Sequence, residues 1–94
     1  MKNSNNTNGK SIMDFPFNEL MDTCKIFLLR FDDYQQACAD KGNKQMAQFF
    51  DDSFNQLEAI IFNLKAEELT DKVRNQIRSL IKHTEEMAVV QFCK

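Results

Sequence analysis

Three observations on the sequence predict an all-α fold, a small antiparallel three-helix bundle. Apolar residues recur at helical spacing in three separate stretches. The chain has 94 residues but only two Gly and one Pro, too few turn-formers for many short strands. Break signals at Gly42–Asn43 and at Thr70 leave three segments of similar length with short connections, which favours up-down-up order. The rival arrangement lets the second helix run on through 68–70 to residue 92, since no Gly or Pro stops it there. Such a two-helix hairpin would leave half its apolar surface open and would have to dimerise into a four-helix bundle.

The elements follow in order. Residues 1–11 are rich in Asn, Ser, Gly and Lys and cannot bury enough to offset their ordering entropy, so they read as a disordered polar tail. Residues 12–94 form the single helical domain. The first helix is expected from Asp14, an acceptable N-cap that places Pro16 in the first turn, where its missing N–H is harmless. From Phe17 a strict heptad runs Phe17, Leu20, Cys24, Phe27, Phe31, Tyr34, Cys38, one continuous seam. Met21 and Leu28 widen it. Ile26 and Leu29 point away from it. Gly42 ends the helix in left-handed conformation and Asn43 caps the next.

The second helix is expected over 44–67, with Met46, Phe50, Phe54, Leu57, Ile60, Ile61 and Leu64 on its apolar face and Phe62 outside it. Thr70 is the N-cap of a third helix over 71–92. Its stripe is Val73, Ile77, Leu80, Ile81, Thr84, Met87 and Ala88. The ending Ala88–Phe92 is more apolar than one face requires, which singles out Val89, Val90 and Phe92.

Composition narrows the function. A net charge of −2 argues against generic binding to nucleic acid or to an acidic membrane surface. No stretch approaches the roughly 20 apolar residues of a membrane span. Cys24, Cys38 and Cys93 form no CxxC pair and no disulfide framework. The polar first ten residues show no secretory leader pattern. The expected compartment is a reducing cytoplasm, with export without a cleaved signal as the other route.

No residue set converges on catalysis, a cofactor or a metal. His83 is the one histidine and has no second His or Cys within a helical turn. The acidic doublets Asp32–Asp33, Asp51–Asp52, Glu67–Glu68 and Glu85–Glu86 place neighbours about 100° apart on a helix, so they read as solvated faces. The Phe-rich seam reads as core and not as a ligand pocket. Arg74, Arg78 and Lys82 form an i, i+4, i+8 ladder that could meet phosphates or an acidic partner.

The reading is therefore a non-catalytic protein–protein interaction module, a small adaptor, chaperone or inhibitor, and not an enzyme. Its partner is another protein, with a homodimer expected. The contact surface is the excess apolar set Ile26, Leu29, Phe62, Val89, Val90 and Phe92. The alternative is a small nucleic-acid-associated regulator that uses Arg74, Arg78 and Lys82 on the third helix.

Overall fold

The computed structural model describes residues 12–93. The expected disordered tail, 1–11, lies outside the described residues. Three helices follow one another: α1 (Phe17–Asp40), α2 (Lys44–Ile61) and α3 (Asp71–Phe92). Short 3-10 turns at Ile12–Asp14 and Ala66–Glu68 precede α1 and α3. No strand occurs among the described residues. The fold is the three-helix bundle expected, and the two-helix hairpin is not formed.

Two boundaries differ from expectation, each for a local reason. α1 begins at Phe17 and not at Asp14: Pro16 is the N-cap, with extended backbone at φ −60°, ψ 159°. A residue before proline is pushed out of the α region, so Phe15 cannot join the helix. α2 ends at Ile61, short of 67, because Asn63 takes a left-handed conformation at φ 58°. Asn tolerates that region better than most residues and ends helices much as Gly does. The chain then turns through Ala66–Glu68, where the Glu68 carboxylate accepts from the Lys65 N–H at 2.9 Å.

The other caps are as read. Gly42 is left-handed at φ 78°. The Asn43 N–H reaches the Cys38 carbonyl at 2.8 Å and the Gly42 N–H reaches Ala39 at 3.0 Å, a Schellman closure of α1. The Asn43 side chain accepts from the Met46 N–H, and Thr70 accepts from the Val73 N–H, each at 3.2 Å. Such caps are each worth about 1 kcal/mol.

The tight Gly42 turn makes α1 and α2 the closest pair in the bundle. α3 runs parallel to α1. Arg74 reaches Phe15, Glu85 meets Arg30, and Phe92 packs on Tyr34. α2 is antiparallel to both, so that Phe50 near its start meets Tyr34 and Phe92. The core has two parts. Leu20, Cys24, Phe31, Leu57, Ile77 and Ile81 fill the end nearer the start of α1. Cys38, Ala47, Phe50 and Ala88 fill the other, and Tyr34 packs against both. The seam residues Leu20, Cys24, Phe31 and Cys38 are fully buried, whereas Phe27 is half-buried. Thr84 is buried and returns its hydroxyl proton to the Leu80 carbonyl at 2.8 Å.

Replacing fully buried Phe31 or Leu57 by Ala should therefore destabilise by about 2–5 kcal/mol in urea titrations. Ile26→Ala, at an exposed position, should stay within about 0.5 kcal/mol. Equal losses at Ile26 and Phe31 would mean that α1 is rotated from the phase described.

Burial also acts on the thiols. It raises Cys24 from 9.0 to about 11, because a thiolate there would lose its hydration. Cys38 moves in the same direction for the same reason. The unfolded chain releases the Cys24 proton near pH 9.0, while the folded chain keeps it to about 11. Over that window the unfolded state binds fewer protons, so stability falls as pH rises, by up to about 2–3 kcal/mol for this one group. Urea midpoints of the wild type and Cys24→Ala should converge as pH is raised through that window. In the native protein a disulfide reagent should label Cys93, the exposed thiol, and reach Cys24 and Cys38 only on unfolding.

Candidate docking surface

A helix in a bundle needs one buried stripe; side chains beyond it must face water. Ile26, Leu29, Phe62, Val89 and Val90 do so, with 56–72% of each exposed. On α1, Asp22, Ile26, Leu29 and Asp33 fall at i, i+4, i+7 and i+11 and are all exposed. That spacing sets them in one row: two apolar side chains with an acid at each end. Phe62 projects from the residue that ends α2.

Phe92 departs from the expected set. It is half-buried, 5.6 Å from the Tyr34 ring and 6.2 Å from Phe50, with the Lys41 ammonium 5.6 Å from its centroid. The last turn of α3 curls this ring onto the gap above Tyr34, so it belongs to the fold.

The basic ladder divides in the same way. Arg74 turns inward: its Nη1 donates to the carbonyls of Phe15 at 2.6 Å and Ile12 at 3.2 Å, with Met13 at 3.5 Å. These carbonyls belong to the strap before Pro16, the 3-10 turn Ile12–Asp14 and Phe15. Arg74 binds the strap to α3, so its charge is engaged within the protein. Arg78 and Lys82 remain exposed, Arg78 with its guanidinium on Asn75 at 2.9 Å.

The strap, α1 and α3 frame a groove of ≈ 360 Å³ lined by Ile12, Phe15, Thr23, Phe27, Arg78, Ile81 and Lys82. Its floor is carbon and its α3 edge carries the two outward cations. Farther along the same seam a smaller hollow of ≈ 140 Å³ is lined by residues including Arg30, Glu85, Val89 and Cys93. A larger hollow, ≈ 460 Å³, opens beside the α1–α2 turn among Gln35, Ala39, Gly42, Lys44, Ala47, Gln48 and Asp51. It carries no large apolar side chain.

A polar cluster closes the α1–α3 seam. Arg30 makes a forked contact with Glu85, Nη2 to Oε1 at 2.7 Å and Nε to Oε2 at 3.1 Å. The Tyr34 hydroxyl sits between them, 2.6 Å from Arg30 Nη2 and 2.9 Å from Glu85 Oε1. The hydrogen bond to Glu85 holds Arg30 even more firmly in its charged form. Burial, and then the bond to Glu85, raises the Tyr34 hydroxyl. Glu85 was read from sequence as part of a solvated doublet. Its neighbour Glu86 is exposed, but Glu85 is half-buried and paired. Arg30 and Tyr34 at i, i+4 were the available signal, since they present a donor and a hydroxyl on one face of α1. Their partner is 51–55 residues away and follows only from the helix register.

His83 is exposed, its ring edge-on to Phe49 at 5.7 Å. Among the described residues no group of three His, Cys, Asp or Glu side chains converges as a metal site. No described helix is long and apolar enough to cross a membrane. Compared with known protein families, curated proteins and solved structures, the chain matches none.

The two polar contacts of α3 should be measurable. Glu85→Ala should cost about 1–2 kcal/mol, because both Tyr34 and Arg30 lose their acceptor. Arg30→Ala should cost less, about 0–1 kcal/mol, since half of that side chain is in water. Arg74→Met should cost about 1–3 kcal/mol by leaving the strap carbonyls without their charged donor. Urea titrations should rank Arg30→Ala as the mildest of the three; a reversed order would contradict the burial described.

Proposed function

We propose that this chain is a non-catalytic protein–protein interaction module, a small adaptor, chaperone or inhibitor that acts by covering part of a partner protein. One observation carries the reading: Ile26 and Leu29, 58% and 68% exposed, stand on the outer side of α1, the helix whose Thr23 and Phe27 also line the apolar groove. These side chains contribute little to the protomer's own core. In water they are a cost to solubility that a partner would remove. Phe62 and Val90, exposed elsewhere on the molecule, add apolar contact points of the same kind. The groove is open along its length and suits an elongated protein segment better than a small molecule, which pockets normally enclose by 70% or more. The three free thiols, two of them buried, are in keeping with a reducing cytoplasm, the compartment we assign.

Photo-crosslinking in the cell of origin tests this. With p-benzoylphenylalanine in place of Leu29, Phe62 or Val90, irradiation should give at least one discrete adduct whose added mass is not that of a second copy. A probe at exposed Lys72 should not give it. No adduct, self-adducts alone, or the same adducts from Lys72 would overturn the reading.

A further inference from the structure

The groove between α1 and α3 has a floor and an edge of different chemistry. Ile12, Phe15, Phe27 and Ile81 offer carbon, while Arg78 and Lys82, one helical turn apart, set two cations along one side. A fitting occupant presents a ridge with apolar side chains at its centre and anions beside them. The chain carries such a ridge itself. Asp22, Ile26, Leu29 and Asp33 form one exposed row on α1, and Asp32 adds a further acid next to Asp33. The row spans about 16 Å of helix, long enough to lie across the groove and still reach a cation at one end.

We propose that the α1 ridge of one copy seats in the α1–α3 groove of a second copy, giving a homodimer. This occupant rests on the protein-binding reading and names the partner for one face of it. Ile26 and Leu29 would meet the carbon floor, and Asp33 would face Lys82 of the other copy. Ridge and groove share one helix, since Thr23 and Phe27 of α1 line the groove. A two-fold axis beside α1 therefore makes the contact twice and closes the assembly. The apolar contact supplies affinity; the rim charges supply orientation and salt dependence.

Sedimentation equilibrium of the full chain tests this, from low to high micromolar protein and from low to molar salt. A dimer is expected, with a dissociation constant that rises about tenfold or more with salt. Lys82→Glu and Asp33→Lys should each weaken it by about tenfold, since each sets like charges face to face. The double variant should return to within about threefold of wild type, as expected for sites that touch. Positions 33 and 82 are exposed, so circular dichroism should be unchanged in all three, and so should the melting midpoint at a protein concentration well below the dissociation constant, where all are monomeric. A strict monomer at low salt would overturn the proposal. So would a double variant no better than the singles, or assemblies that keep growing with concentration. A monomer that still gives a foreign adduct at Leu29 discards the second copy and keeps the protein-binding reading.

Discussion

Tyr34 touches all three helices, and the arrangement of the bundle depends on it. Its ring lies 5.2 Å from Phe50 of α2 and 5.6 Å from Phe92 of α3. Its hydroxyl lies on Glu85 of α3, beside Arg30 of its own helix. The same side chain separates the two halves of the core and packs against each. Apolar stripes alone do not set the height of one helix against another, because a heptad pattern shifted by a turn still presents carbon to carbon. A hydroxyl and a carboxylate that must meet within about 3 Å tolerate no such shift. Much of the value of this cluster is therefore register. The ion pair, half in water, adds little energy of its own.

The second fixed point of α3 is at its other end. Arg74 holds the carbonyls of the strap before Pro16, and the strap lays Ile12 and Phe15 over the core. Proline is the origin of this arrangement. It bars Phe15 from the helix, and a cation on α3 donates to the strap carbonyls this leaves outside α1. Two polar contacts, one near each end of α3, thus align it with α1, while the short Gly42 turn aligns α2. The asymmetry has a structural consequence. α1 and α2 approach closely, whereas α1 and α3 are bridged by long side chains, and the groove lies along that seam.

How much of this was legible in the sequence depends on the range of the interaction. Period and local caps were readable. The heptad placed Leu20, Cys24, Phe31 and Cys38 in the core, and Gly42, Asn43 and Thr70 mark helix ends where expected. The end of α2 is less legible because Asn63 reaches left-handed backbone only against a Cβ penalty that Gly lacks, and so gives a weaker stop signal. Asp14 fits the cap pattern and puts Pro16 where its missing N–H is harmless, but the restriction proline places on Phe15 moves the start of α1 to Phe17. Arg74, Glu85 and Phe92 were misjudged for a shared reason. Each is a flank residue on α3 whose role is decided by residues more than 40 positions away. For a flank residue, exposure is set by the height and tilt of the neighbouring helix, which periodicity does not encode. The five apolar side chains that do remain exposed lie at positions that no neighbour reaches.

The form of the groove constrains what it can hold. The Arg30–Glu85 pair lines the smaller hollow that continues the seam. Both parts are open troughs, too shallow to enclose a small molecule on most sides. A convex ridge needs no enclosure. A helix laid over a seam between two others buries one stripe of side chains and leaves its own back in water, as a fourth helix does in a four-helix bundle. A helix added on the α1–α3 face would cover the carbon floor. The open seam arises from α3 being held to α1 through Tyr34, Arg30 and Arg74 and not by close approach of the two backbones.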